Sequence, residues 1–219
     1  MDETNKRSAS TTGLTTELLV KRLKISAETI DASSPQVQPQ QKALRIGRPA
    51  PHFTAPAVLP CNTISTISLS DYKDKYLVLF FYPGDFTSVC LAELTDFSDS
   101  LEKFNDCALL FCSVDSEFVH YNWRQQPRCE GGVGELRVPM LADRTRQISR
   151  AYGVLDEESQ VLRGFFVIDR RQVVRAAVVN DIKIGRSVDE AVRLVEAIRL
   201  SDENGAGVPS QLAKELSWQ

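Results

Sequence analysis

Cys90 closes an eight-residue stretch, Pro83-Gly84-Asp85-Phe86-Thr87-Ser88-Val89-Cys90, whose residue types and spacing point to thiol chemistry. Thr87 and Ser88 can cap a helix whose first turn then carries the cysteine. Backbone N–H groups at a helix start lack intrahelical partners and carry partial positive charge. A sulfur placed there is favoured as thiolate, the form that acts as nucleophile. A helix end supplies roughly 0.3 to 2 kcal/mol, whereas making an ordinary thiol predominantly ionic at neutral pH takes about 3.4 kcal/mol. The shortfall requires a cation from elsewhere in the chain. The structural alternative is a small buried hydrophobe, the usual fate of a free cysteine.

The elements that must position Cys90 follow from periodicity. The apolar run from Tyr76 to Tyr82, closed by Pro-Gly, predicts a buried strand ending in a turn. Further strands are expected near Ile64 to Leu69 and at Ala108 to Val114. Between the latter and the first strand, Leu94, Phe97, Leu101 and Phe104 fall at helical spacing, so the three segments form a β-α-β unit with a parallel pair and a right-handed crossover. Phe118 to Trp123 begins a helix, Pro139 to Leu141 a short strand, and Ile148 to Tyr152 a helical turn. Gly164 to Asp169 and Gln172 to Val179 read as a hairpin joined at Asp169-Arg170-Arg171. Ser187-Val188-Asp189-Glu190 is a capping box opening a helix that buries Val188, Ala191, Val192, Val195 and Ile198. The sum is an α/β layered fold.

The 219 residues, 42% hydrophobic and 25% charged, suit one large domain and a tail. The net charge is −3 and no basic stripe is interleaved with aromatics, which gives no footprint for nucleic acid. Five cysteines (Cys61, Cys90, Cys107, Cys112, Cys129) without a Cys-x-x-Cys pair argue against a zinc ribbon or a secreted disulfide framework, and for a reducing compartment. His52 and His120 lack metal-ligand spacing, so no metal or other cofactor is implied. Residues 1–44, rich in Ser, Thr, Gln and Pro, are expected to be disordered apart from a short amphipathic helix from Leu14 to Ile25. Asp2, Glu3 and Glu17 weaken a transit-peptide reading of that segment, so the expected compartment is the cytoplasm, with the mitochondrion as the alternative. No apolar run approaches the ~18 residues of a membrane span.

From about Ile46 to Asp202 the chain resembles the typical 2-Cys peroxiredoxins. The residues that carry the resemblance are Pro83-x-x-x-Thr87-x-x-Cys90, Ser113-Val114-Asp115-Ser116, Gly131-Gly132-Val133-Gly134 and Ala151-Tyr152-Gly153-Val154. They continue with Arg163 to Asp169, Val179-Asn180-Asp181 and Gly185 to Glu190, in this order and at these separations. The resemblance implies a thioredoxin-like fold, a central mixed sheet flanked by helices, over 45–202, with a disordered extension over 1–44 and a tail over 203–219. It also implies a thiol-dependent peroxidase in which the Cys90 thiolate attacks hydrogen peroxide or an organic hydroperoxide and becomes a sulfenic acid. On this analogy Thr87 holds the peroxide, Arg163 supplies the missing cation and Pro83 shields the pocket. Glu93 helps orient arginines, and Arg175 is a second arginine near the site. His120 and Trp123 are expected to be packing residues and Cys107 and Cys112 core thiols. Cys61 and Cys129 lie beside turns and could serve in redox chemistry, and His52 is structural. The family's assembly implies a homodimer through the strand Gln172 to Val179, extending to a ring of five dimers.

The departures matter as much. The family carries a resolving cysteine in a Val-Cys-Pro context, whereas this chain reads Gly205-Ala206-Gly207-Val208-Pro209 and has no cysteine after Cys129. Leu91-Ala92 stands where the family has Pro-Thr, and the terminal Tyr-Phe pair that packs over the site is not found. Two hypotheses result. One is a peroxidase with a one-cysteine cycle, reduced by an external thiol (glutathione or a thioredoxin-like protein) or resolved by Cys61 or Cys129. The other is a non-catalytic relative acting as redox sensor, chaperone or structural partner.

Overall fold

A computed structural model describes residues 44–209. The expected disorder of the N-terminal extension, its Leu14 to Ile25 helix and the last ten residues of the tail lie outside the described residues. Leu44, assigned to the extension, packs against the domain core.

Seven strands form one sheet in the order β2-β1-β5-β4-β3-β6-β7. They are β1 (Thr54–Val58), β2 (Ile64–Ser68), β3 (Leu77–Phe81), β4 (Ala108–Ser113), β5 (Met140–Ala142), β6 (Arg163–Ile168) and β7 (Val174–Asn180). The helices are α1 (Ser88–Asp99), α2 (Glu117–Gln125), α3 (Gln147–Ala151) and α4 (Val188–Asn204). β3, β4 and β5 run parallel; β1 with β2 and β5, and β6 with β3 and β7, pair antiparallel. This is the expected thioredoxin-like α/β arrangement with a mixed sheet.

Every residue of β3 is buried, as a strand covered on both faces requires. Val78 and Phe80 face a core with Phe97, Phe111 and Val195, while Leu79 and Phe81 face Tyr152, Phe166 and Leu110. The helical spacing through Phe104 is split: α1 ends at Asp99, and Leu101–Phe104 continue as a separate 3-10 turn.

β1 was not evident in the sequence because Pro56 interrupts Thr-Ala-Pro-Ala-Val. The strand tolerates a proline because β5 pairs only with Ala57 and Val58, so Pro56 needs no donor on that side. α4 begins at the expected cap, with the Ser187 hydroxyl accepting from the Glu190 N–H, and ends at Gly205 with φ 64°.

Candidate active site

β3 delivers Tyr82 and Pro83 to the C-terminal edge of the parallel strands, and buried polar contacts fix the turn that follows. Asp85 accepts from the Tyr82 hydroxyl at 2.7 Å, lies 2.8 Å from His120 Nδ1, and donates its backbone N–H to Asp115 Oδ2 at 2.8 Å. Burial pushes the Asp85 carboxyl up, while the His120 and Tyr82 hydrogen bonds act in the opposite sense. Phe86 is held in the left-handed region, φ 58°, with its ring 5.6 Å from that of Trp123. A non-glycine residue there costs on the order of 1–3 kcal/mol and persists only where its surroundings impose it.

Thr87 is the N-cap residue of α1 with extended backbone. Its hydroxyl donates to Gly84 O at 3.1 Å instead of accepting a helix N–H. The side chain therefore ties the turn together and stands at the exposed rim, with Pro83 half-buried beside it. Cys90, in the first turn of α1, is wholly buried beneath them.

Sheet register brings the distant cation to the sulfur. β6 pairs with β3 so that Gly164 lies opposite Phe81, which sets Arg163 beside the turn leading to Cys90. A side chain at Gly164 would bring its Cβ to 2.8 Å from Val154, so glycine permits the strand to sit this close. Arg163 Nη1 donates to Cys90 Sγ at 3.3 Å and to Glu93 Oε2 at 2.6 Å, while Nε donates to Ile182 O at 2.6 Å. Glu93, one turn beyond Cys90 on the same face of α1, also accepts from Arg186 through its backbone N–H at 2.6 Å, Nε at 3.0 Å and Nη2 at 3.0 Å. Arg186 in turn donates to the carbonyls of Phe81 and Gly164 and lies 3.3 Å above the Phe80 ring. Burial brings Arg186 down to about 10, against the pull of Glu93, so it remains a cation at neutral pH.

Two guanidinium groups thus meet one carboxylate in a buried cluster that also holds the Cys90 sulfur. Guanidinium donors in such a closed site can act on negative charge that develops beside them.

Of the residues singled out from sequence, Cys90, Thr87, Pro83, Arg163 and Glu93 come together. Arg175 does not, which corrects the expectation of a second arginine there. It lies near the Val174 end of β7, remote from Arg163, and binds Asp169 at 3.3 Å and Asp202 at 2.5 Å. Arg186 takes the place near Glu93. It was part of a recognised motif, but its approach depends on how α4 docks, and residue spacing does not carry that. Asp85 and Asp115, likewise, gain their positioning roles only from the meeting of two loops. His120, expected to be mere packing, orients Asp85. Trp123 is buried as expected and donates to Gly131 O at 2.9 Å.

All five cysteines are free. Burial pushes Cys107 up to about 12 and Cys112 well above the ordinary thiol range, as inert core thiols require. Cys61, exposed in the β1–β2 turn, is lowered by a hydrogen bond with the Thr63 hydroxyl. Cys129 is exposed in the 3-10 turn Arg128–Glu130. His52 pairs with Ser68 at the surface. Among the described residues no group of His, Cys, Asp and Glu is placed to hold a metal ion, and no helix is long and apolar enough to cross a membrane.

Comparison with known proteins adds to this geometry. The AhpC/TSA family profile matches residues 46–177. Peroxiredoxin-2 of Pongo abelii is 52% identical over 166 residues, covering 74% of this chain and 93% of that protein. A thioredoxin peroxidase of Trypanosoma brucei rhodesiense is 45% identical over 169 residues, covering 76% and 85%. Among solved structures, the reduced 2-Cys peroxiredoxin of Plasmodium vivax superimposes with a TM-score of 0.73 at 39% identity, covering 75% of this chain and 86% of that one. The mitochondrial 2-Cys peroxiredoxin of Plasmodium falciparum gives 0.71 at 36%, covering 75% and 100%.

Proposed function

The chain belongs to the AhpC/TSA family and is a thiol-dependent peroxidase; from that premise we propose that Cys90 is its peroxide-reactive thiol and that it works by a one-cysteine cycle. The observation that carries this is the 3.3 Å contact between Arg163 Nη1 and Cys90 Sγ at the start of α1. The thiolate attacks the terminal oxygen of the peroxide, the S–O bond forms as the O–O bond breaks, and the released hydroxide or alkoxide takes up a proton to leave as water or alcohol. Arg163 donates to the oxygens as charge develops. Thr87 at the rim orients the peroxide, Pro83 limits water, and Glu93 and Arg186 hold Arg163 in place.

The sulfenic acid then meets an external thiol. Attack forms the S–S bond and expels the oxygen as water; a second thiol releases Cys90 and leaves with the first as a disulfide. The reductant is a thioredoxin-like protein or glutathione. The stretch Gly205-Ala206-Gly207-Val208-Pro209, without a cysteine at the place where the family carries its resolving one, supports an external donor. Intramolecular resolution by exposed Cys61 or Cys129 is the competing route. Five free cysteines fit a reducing compartment, the cytoplasm or the mitochondrion. The outer edge of β7 beyond Val174, where the pairing with residues 47–50 stops, supports a homodimer through that strand, which rings of five could extend.

The test is stopped-flow oxidation of the reduced protein by hydrogen peroxide and by cumene hydroperoxide, with Cys90→Ser as the control. A rate constant far above that of free cysteine and lost in the variant is expected. A rate no faster than free cysteine would leave the non-catalytic reading. Mass spectrometry of the oxidised protein separates the routes: the one-cysteine cycle gives sulfenic acid at Cys90, whereas resolution gives a disulfide that Cys61→Ser or Cys129→Ser abolishes.

A further inference from the structure

The Thr87 hydroxyl has its single proton already committed. A threonine hydroxyl carries one proton and two lone pairs. That proton goes to Gly84 O at 3.1 Å, so toward a substrate the oxygen offers lone pairs alone: it can accept from a hydroperoxide O–H and cannot donate to it. Arg163 has donors and no acceptor. The two side chains are therefore complementary, one taking the hydrogen of a hydroperoxide and the other giving hydrogen to its oxygens.

The peptide unit between Gly84 and Asp85 keeps the proton there, and it is gripped at both ends. Its carbonyl is the Gly84 O that accepts from Thr87, and its N–H, on Asp85, donates to Asp115 Oδ2 at 2.8 Å. The same Oδ2 accepts the Ser113 hydroxyl at 3.0 Å, and Ser113 Oγ accepts the Asp115 N–H at 3.0 Å. Ser113 is the wholly buried last residue of β4, and its carbonyl accepts the Asp143 N–H at 2.8 Å. Asp115 is thus tied to the end of the sheet, and it sets the plane of one peptide in the turn before Cys90. A planar peptide cannot turn its carbonyl without turning its N–H. Bonds in such a chain also polarise one another, so an acceptor on the N–H makes the carbonyl a stronger acceptor for Thr87.

We propose that Asp115 is a positioning residue for the peroxidase reaction: by holding the Asp85 N–H it fixes the Gly84 carbonyl, keeps the Thr87 proton on that carbonyl, and so makes Thr87 an acceptor for the hydroperoxide O–H. This rests on Cys90 being the peroxide-reactive thiol. Asp115 acts through Thr87 and not on the sulfur. Without it the Gly84–Asp85 peptide is free to rotate, and a Thr87 proton released from Gly84 O competes for the place that the hydroperoxide O–H fills.

Two reactions of Cys90 in the full chain separate this role from a structural one. Hydrogen peroxide has an O–H to place, whereas iodoacetamide has none and reads the thiolate and its accessibility. Both rates are followed at Cys90 by quenching and mass spectrometry. Asp115→Ala should lower the rate constant with peroxide about tenfold, the order of one hydrogen bond, and leave the alkylation rate within twofold. Asp115→Asn retains a carbonyl oxygen for the Asp85 N–H and should restore the peroxide rate to within about threefold of native. In a Thr87→Val background, which has no hydroxyl to orient, adding Asp115→Ala should cost less than about twofold more. Hydrogen exchange of the Asp85 amide in native protein, expected to be slow, reads the bond to Asp115 even if the alanine variant does not fold. Equal losses in the two reactions, a tenfold loss that persists in the Thr87→Val background, an Asp115→Asn protein as slow as Asp115→Ala, or an unprotected Asp85 amide would each overturn the proposal. A native protein that peroxide oxidises no faster than free cysteine fails before any variant is compared, and it strikes the Cys90 reading instead.

Discussion

Replacing Arg163 with methionine removes the guanidinium while keeping an unbranched chain of similar length in the buried site. The structure sets the size of the effect. Among the described residues Arg163 is the one side-chain donor to Cys90 Sγ, at 3.3 Å. A hydrogen bond to a charged group is worth about 1.5–3 kcal/mol, and a donor aimed at developing charge in a closed site about 2.7–4 kcal/mol. At about 1.4 kcal/mol per decade of rate, the second-order rate constant with hydrogen peroxide should fall about a hundredfold. Folding should survive, because Glu93 keeps its three bonds to Arg186 and is not left as an orphaned charge. Arg163→Lys preserves the charge but cannot reproduce both the 2.6 Å bond to Ile182 O and the contact with sulfur. It should fall between the two. Stopped-flow oxidation measures the rates, and urea unfolding of the same samples checks the fold. An Arg163→Met protein that is folded and reacts within about twofold of the native rate would refute the electrostatic account of Cys90.

Glu93→Ala leaves two buried guanidiniums without their carboxylate and should destabilise the protein by about 3–5 kcal/mol, read from the urea midpoint at constant slope. At Gly132 an added Cβ would stand 2.0 Å from Gln126 O, so Gly132→Ala must displace backbone; a lowered thermal midpoint and an altered Trp123 fluorescence are expected. Burial opposes ionisation of Asp202, but hydrogen bonds from Arg175 and Tyr76 outweigh it and hold the carboxyl below its usual range. A depressed carboxylate contributes stability above its unfolded value, near 3.9, and loses it as pH falls through the folded one. The destabilisation by Asp202→Asn, on the order of 1 kcal/mol at pH 7, should therefore shrink below about pH 4 in urea titrations.

Much of this protein was legible along the chain because local physics wrote it there. β3 and β4 are continuous apolar runs, α4 opens on a Ser-x-x-Glu cap, and the turn before Cys90 is marked by Pro-Gly and a capping residue. β1 was hidden, since a strand containing proline is permitted only by where its neighbour stops pairing. Within the site, Thr87, Cys90 and Glu93 lie on one short stretch whose helical spacing already aligns them. Arg163 lies 73 residues beyond Cys90, and Arg186 lies 93 beyond Glu93. The antiparallel register of β6 on β3 brings the first to the sulfur, and the segment leading into α4 brings the second to Glu93. Arg163, Arg175 and Arg186 carry the same guanidinium and are indistinguishable by type; two converge on Glu93 and one is held by Asp169 and Asp202 at a distance. Chain order determined that a cysteine sits at a helix start. Only the tertiary structure decided which cations reach it, because the charge felt by a buried sulfur depends on distance in space and not on separation in sequence.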